Sequence, residues 1–332
     1  MTRSRVLSVL RIALALLVVA GVALAVGRNW AQVSRDISHV KLGDLVLAAG
    51  LVALAPILTM LGWRRLLTDL GSTLHLAPAG GVFFVGQLGK YLPGSVWSIV
   101  AQAEMALRLH VPRRRSTVVG LISIGLAVVC GLIMGLPAVP PLLSHSSSAS
   151  TGWVLVLAVP LLAVVLWPRL LNWGIGLGLR LLRREPLEHQ LSGRAVFLAC
   201  VYFLGAWLVS GLAVLVLARA VSDRPVDTSR LLVATVAGFA LASSVSMFAV
   251  ILPAGVGLRE GILVLLLAPL ISTSGAAAVV VLARFLTVLA DVLFALLGWA
   301  WARSHHLITA KAERERLVED RVVEDVPPAA GR

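Results

Sequence analysis

Six ionisable residues occupy stretches of the sequence that are otherwise apolar enough to lie inside a membrane: Lys90, Glu104, Arg259, Glu260, Arg284 and Asp291. A charge at the centre of a membrane helix costs roughly 2.5–3.5 kcal/mol on insertion scales. Such residues usually face the protein interior or a water-filled cavity, where they mark pathways for ions or substrates. These six residues are therefore the first candidates for functional chemistry.

Two apolar regions are interrupted by helix-breaking segments, YLPGSVW (91–97) and ILPAGVGLREG (251–261). The predicted break residues are Pro93, Gly94, Pro253, Gly255, Gly257 and Gly261. Backbone groups freed inside a membrane must bond to protein or line a wet cavity. Ser95 is placed to cap a half-helix over 96–107, and Arg259 falls in the first turn of a second half-helix. Since a helix N-terminus carries about half a positive charge, both breaks are expected to attract anions.

Six polar side chains near the breaks are the predicted ligands of an anionic headgroup: Lys90, Arg259, Arg284, Gln87, Gln102 and Ser95. Arginine suits bidentate contact with phosphate, and lysine acts as a point charge. The two glutamines could bond the headgroup or each other. Three acids are predicted to balance these charges or to couple transport to protons: Glu104, Glu260 and Asp291. The expected ligand is a phosphate or phosphodiester group.

The same charges also have structural interpretations. Lys90 could extend to the membrane interface, and Glu104 with Arg108 has the i, i+4 spacing of an ordinary helix pair. Arg284 and Asp291 lie two turns apart, about 10 Å by helix rise, so each is expected to need a partner elsewhere. For Asp291, neutralisation of a nearby arginine and proton coupling remain open alternatives.

The composition indicates an all-α, polytopic integral membrane protein. Of the 332 residues, 59% are hydrophobic and 14% are charged, and the mean hydropathy is +0.95. The net charge of +13 indicates arginines at cytoplasmic loop ends that face anionic lipid, and no nucleic-acid partner. Cys130 and Cys200 lie within apolar helices, and the histidines fall in loops or near helix ends. The sequence therefore predicts no disulfide, metal site or cofactor.

Residues 1–302 are predicted to form the membrane domain, with about six full spans and two broken or re-entrant hairpins. The spans are predicted at 8–27, 44–62, 116–139, 152–167, 195–218 and 276–302, and the broken regions at 81–106 and 231–271. We expect the first span to be an anchoring helix rather than a cleaved signal. Residues 231–252 could span alone, so a hairpin from outside and two crossings both remain open. Residues 168–194 form an interfacial helix or a basic linker, and 303–332 a charged, partly disordered cytoplasmic tail.

The distribution of Lys and Arg predicts a multi-pass protein of the cell (plasma) membrane with both termini cytoplasmic. Thirteen such residues fall in one set of inter-span segments and six in the other, and the richer set is expected inside. The two halves then have opposite orientations, each with one broken hairpin. Inverted repeats of this kind are typical of transporters, although two Leu-Pro segments could also match by accident.

Three segments carry a family resemblance: GQLGKYLPGSVW (86–97), LPAGVGLREGILVLLL (252–267) and LARFLTVLADVLFALLGW (282–299). They resemble the flippase-like transmembrane region of lysylphosphatidylglycerol synthases and its stand-alone relatives. The resemblance spans most of 1–302 and implies movement of a modified or glycan-linked lipid across the bilayer. It implies functional roles for Gln87, Lys90, Pro93, Gly94, Pro253, Gly255, Gly257, Arg259, Glu260, Gly261 and Arg284. Residues 97–101 depart from many relatives, which leaves the identity of the lipid open.

The leading hypothesis is a flippase for an anionic, phosphate-bearing lipid, amino-acylated or glycan-linked. No aminoacyl-transfer domain follows residue 302, so we do not expect synthase activity. One alternative is a non-catalytic membrane partner of a cell-envelope glycosyltransferase or lipid-modifying complex, which leaves the buried charges unexplained. The other is an intramembrane lipid-modifying enzyme with Glu104, Glu260 or Asp291 as general base. That enzyme would require a donor pocket or metal ligands, and the sequence shows neither.

Overall fold

The computed structural model describes residues 40–91, 97–143, 167–181, 183, 187–222, 225–248 and 257–305, and within them the regular structure is helical. Long apolar segments form helices because a helix satisfies its own backbone hydrogen bonds in lipid. The helices are α1 (Leu42–Asp69), α2 (Leu76–Gln87), α3 (Trp97–Leu107), α4 (Arg113–Gly135), α5 (Val139–Leu143), α6 (Pro168–Leu181), α7 (Gly193–Val221), α8 (Thr228–Leu232), α9 (Gly238–Phe248), α10 (Leu258–Leu267) and α11 (Thr273–Ser304). Short 3₁₀ turns follow α2 (Leu88–Tyr91) and α4 (Leu136–Ala138), and a π-helical turn (Val233–Ala237) joins α8 to α9.

Five helical segments are long and apolar enough to cross a membrane: Leu42–Asp69, Arg113–Leu142, Gly193–Val221, Thr228–Phe248 and Thr273–Ser304. The all-α, multi-pass class is therefore confirmed. Four of these segments contain the spans predicted at 44–62, 116–139, 195–218 and 276–302. The remaining one, Thr228–Phe248, comes from the region predicted to be broken, where 231–252 was long enough to cross alone. The predicted spans 8–27 and 152–167 and the tail after residue 305 lie outside the described residues.

The first broken region folds as a hairpin in which α2 packs against α3. Gly86 faces Gln102 and Gly89 faces Ser98, so the two helices run antiparallel. At Gly89 the backbone approaches the start of α3 closely. A Cβ added there would lie 2.4 Å from the Ser98 backbone nitrogen and 2.6 Å from the Trp97 carbonyl carbon. The predicted break residues Pro93 and Gly94 and the predicted cap Ser95 lie outside the described residues.

Substitution Gly89→Ala should destabilise the protein by about 1–3 kcal/mol, the usual cost of overpacking. The clash is with backbone atoms, which cannot turn aside as a side chain can. Gly50→Ala is the matched control, since a Cβ at this position in α1 meets nothing within 4 Å. It should be neutral or stabilising by about 0.5–1 kcal/mol. Thermal unfolding of both variants in detergent measures the difference, and equal melting temperatures would contradict the close packing.

The second broken region places α10 against α9. Gly257 has φ of 92° directly before α10 begins at Leu258, a left-handed conformation that favours glycine. Gly261, which the sequence assigns to the break, instead lies inside α10, and its N–H donates to the Gly257 carbonyl at 2.8 Å. The helix begins at Leu258, so Arg259 lies in its first turn as predicted, and Glu260 at the third position caps it. Pro253 and Gly255 lie outside the described residues.

The long helices α1 and α7 form the central antiparallel pair of the fold. Their ends are fixed by Asp69, which accepts bonds from the Ser192 N–H at 2.7 Å and the Ser192 hydroxyl at 3.0 Å. The side chain of Asn172 bonds both the N–H and the carbonyl of Leu191, each at 2.9 Å, and so holds α6 against the start of α7. The helix predicted within 168–194 is thus present over Pro168–Leu181, and its interfacial position stays a prediction.

Candidate functional site

A cavity of about 400 Å³ lies among α1, α4, α7, α9, α11 and the two hairpins. Its walls include residues of both hydrophobic clusters of the core, such as Phe239 from one and Trp63 and Phe203 from the other. The polar side chains in its walls include five of the six predicted headgroup ligands: Gln87, Lys90, Gln102, Arg259 and Arg284. Asp291 lines it as well. Gln87 and Asp291, which lie 204 positions apart in the sequence, therefore line one cavity.

The first charge cluster joins the end of the α2 segment to α11. The Lys90 ammonium lies 2.8 Å from a carboxylate oxygen of Asp291, and the Tyr91 hydroxyl donates to the same oxygen at 2.5 Å. The side chain of Asp291 is 7% exposed and that of Lys90 is 34% exposed. Lys90 therefore extends into the cavity and pairs there, and the interpretation in which it extends to the membrane interface is set aside.

The second cluster centres on Glu260. One of its carboxylate oxygens accepts a bond from the Arg259 guanidinium at 3.2 Å and lies 3.5 Å from a guanidinium nitrogen of Arg284. The other oxygen accepts the N–H of Gly257 at 2.7 Å, which caps α10. The Arg259 guanidinium also lies 5.5 Å from the ring centroid of Phe239, a cation–π distance. One carboxylate thus holds two arginines and the start of a helix.

Arg284 and Asp291 find separate partners, as their spacing on α11 predicts. Arg284 pairs with Glu260 at the second hairpin, and Asp291 pairs with Lys90 at the first. The two clusters contain three cations and two carboxylates, so one positive charge is in excess. The cavity is therefore electropositive, and α11 connects both hairpins through ion pairs.

Glu104 lies away from this cavity, which corrects its predicted place among the charge-balancing acids. It pairs with Arg113 at 2.6 Å, and both side chains are more than half exposed. The face of α3 that carries Glu104 points outward, whereas the face with Ser98 and Gln102 lines the cavity. Sequence spacing alone suggested Arg108 as its partner.

Several polar cavity residues were missed by sequence reasoning. Tyr91, next to Lys90, was not predicted to bond Asp291. Ser123 on α4 and Ser243 on α9 line the cavity with buried hydroxyls that have no hydrogen-bond partner among the described residues. The sequence signal for Ser123 and Ser243 was a serine within an apolar helix. A buried hydroxyl without a partner is costly, so such a serine indicates a polar site. Arg259 Nε is likewise buried and unpaired within the described chain, so the cavity offers free donors to a ligand.

Comparison with known sequences identifies the family to which the chain belongs. No curated protein matches the chain. The family described as the lysylphosphatidylglycerol synthase TM region matches residues 9–295 and so covers α1 to α10 and most of α11. That match includes both hairpins and all four charged residues of the cavity wall. The chain therefore belongs to the lysylphosphatidylglycerol synthase TM region family, a membrane domain associated with lipid handling.

Proposed function

We propose that this protein moves an anionic, phosphate-bearing lipid between the two leaflets of the cell membrane. The observation that carries the proposal is the convergence of Lys90, Arg259 and Arg284 on one membrane-embedded cavity with one positive charge in excess. Buried cations in membrane helices mark pathways for charged substrates. A lipid phosphate supplies the missing negative charge.

The proposed binding step is an exchange of ion-pair partners. In the structure, Asp291 pairs with Lys90, and Glu260 pairs with both arginines. A phosphate that enters would take bidentate contact from Arg284 and draw Lys90 away from Asp291. The unpaired hydroxyls of Ser123 and Ser243 would donate to its remaining oxygens.

In the proposed path, the headgroup enters the cavity while the lipid chains stay in the membrane. Much of the cavity wall is apolar, and the outward face of α11 exposes large apolar side chains, among them Phe285, Leu293 and Leu297. Such a face lies against lipid in a membrane. Rocking of the two halves around the headgroup would alternate access between leaflets, as in transporters built from broken helices.

Transfer of headgroup-labelled phosphatidylglycerol in proteoliposomes tests the proposal. Arg284→Gln should slow transfer at least about tenfold, because a lost bond to a charged group costs about 1.5–3 kcal/mol. Arg219→Gln, at the exposed end of α7 and outside the cavity lining, is the control and should transfer at the wild-type rate. Unchanged transfer by a folded Arg284→Gln protein would refute the proposal. Recovered lipid should keep its mass, and a mass change would favour the lipid-modifying enzyme.

A further inference from the structure

A second cavity, of about 320 Å³, lies between the end of α1 and the start of α7, and it shares no lining residue with the central one. Three arginines line it, Arg64 and Arg65 from α1 and Arg194 from α7. Thr68 and Tyr202 add hydroxyl groups. Arg64 and Thr68 are i, i+4 neighbours on α1, and Leu198 is the i+4 neighbour of Arg194 and the i−4 neighbour of Tyr202 on α7, so each set lies on one side of its helix. The antiparallel pairing of the two helices brings these faces together.

The cavity brings together three guanidiniums of like charge. Within the described chain, no Asp or Glu forms an ion pair with Arg64, Arg65 or Arg194. The nearest candidate along α1, Asp69, is occupied by Ser192 at the cap of α7. Like charges that share a small site repel one another unless an anion joins them.

Of these arginines, Arg64 is held in place by a hydrogen bond and Arg65 has a buried donor. Arg64 Nε donates to the Leu74 carbonyl at 2.6 Å, which fixes the direction of its guanidinium. Arg65 Nε is buried and has no acceptor among the described residues, although a buried donor normally has a partner. The cavity therefore presents one oriented guanidinium, one buried donor without an acceptor in the described part of the chain, and a net positive charge.

We propose that this second cavity binds a phosphate group, carried by an anionic phospholipid or free in solution. Arginine clusters recognise phosphate through bidentate bonds, and basic pockets between membrane helices bind phospholipid headgroups. Leu61 and Leu198 supply an apolar wall beside the arginines, which suits the glycerol and acyl part of a lipid. The site lies at the end of the molecule predicted to be cytoplasmic. It goes beyond the proposed transfer function, because none of its residues reaches the central cavity.

The test compares two double variants of the full chain in mild detergent. Arg65→Gln/Arg194→Gln removes two cavity charges. Arg169→Gln/Arg180→Gln removes two exposed charges on α6, outside both cavities, and controls for general attraction to anionic lipid. Native mass spectrometry counts the dioleoylphosphatidylglycerol retained, and melting temperatures are measured with and without inorganic phosphate.

Wild type and the α6 variant should each retain one phosphatidylglycerol more than the cavity variant. The apparent Kd of that lipid should rise at least about tenfold, since each lost bond to a charged group costs about 1.5–3 kcal/mol. A different result would be that phosphate raises the melting temperature of wild type but not of the cavity variant, while both proteins retain the same amount of lipid. The phosphate site would then be confirmed, with free phosphate as its ligand. The proposal is overturned if wild type and both double variants show the same lipid retention and the same melting-temperature response to phosphate. Should the double variant misfold, Arg194→Gln alone gives the same readouts, because Arg194 is exposed and its change disturbs no packing.

Discussion

Replacement of Glu260 by glutamine should destabilise the protein by about 3–5 kcal/mol, the cost of breaking a buried ion pair and leaving its partner charged. The amide can still accept the Gly257 N–H, so the cap of α10 survives. What disappears is the charge that neutralises Arg259 and Arg284, whose side chains are only 14% and 22% exposed. Two guanidiniums then face each other in a region of low dielectric constant.

The matched control is Glu104→Gln, the same chemical change at an exposed ion pair. Its partner Arg113 lies 2.6 Å away, yet the side chains are 58% and 53% exposed. Exposed pairs contribute about 0–1 kcal/mol, so this variant should melt close to wild type. Thermal unfolding of both variants in detergent measures the difference. A double variant, Glu260→Gln/Arg259→Gln, should recover part of the loss. Equal losses at the two glutamates would contradict the assigned role of Glu260.

Replacement of Asp291 by leucine should cost about 2–3 kcal/mol, somewhat less than a fully buried pair because a third of the Lys90 side chain is exposed. The change leaves Lys90 without its counter-charge and the Tyr91 hydroxyl without its acceptor. Lys90→Met/Asp291→Leu should restore most of the stability, since two charges then disappear together. Melting temperatures of the single and double variants form a double-mutant cycle. A double variant no more stable than Asp291→Leu alone would show that the two residues are not coupled.

A second substitution at Asp291 distinguishes its two possible roles, charge neutralisation and proton coupling. Because Asp291 is held by both Lys90 and Tyr91, we expect it to neutralise charge rather than to carry protons. Asp291→Asn should then leave any response of lipid transfer to an imposed pH gradient unchanged. Loss of that response, with transfer in the absence of a gradient preserved, would assign proton coupling to Asp291 instead.

The sequence predicts most of the fold because apolar length and Pro-Gly breaks are local signals. The run around 44–62 predicts α1, and the break at 91–97 predicts a hairpin, which α2 and α3 form. The seven-residue spacing of Arg284 and Asp291 also predicts, from helix geometry alone, that each needs its own partner.

The partners themselves depend on how helices rotate against one another, which no local pattern encodes. Glu104 points outward because α3 turns Gln102 and Ser98 toward the cavity. The pairing of Glu260 with Arg284 depends on the packing of α10 against α11. The bond from the Gly257 N–H to Glu260 was not predicted either, although an acid at the third helical position is a known capping arrangement.

The charge balance of the central cavity limits the number of anions that the cavity can bind at one time. With three cations and two carboxylates around it, one monoanion brings the chamber to neutrality. A second monoanion would meet no remaining attraction and would lose its hydration without compensation. Under the proposed function, a single phosphodiester would balance the charge, whereas a dianionic phosphomonoester would leave a surplus negative charge in an apolar surrounding. If the proposed function holds, the chamber would select among lipids by the charge of the headgroup, before any contact with the rest of that headgroup.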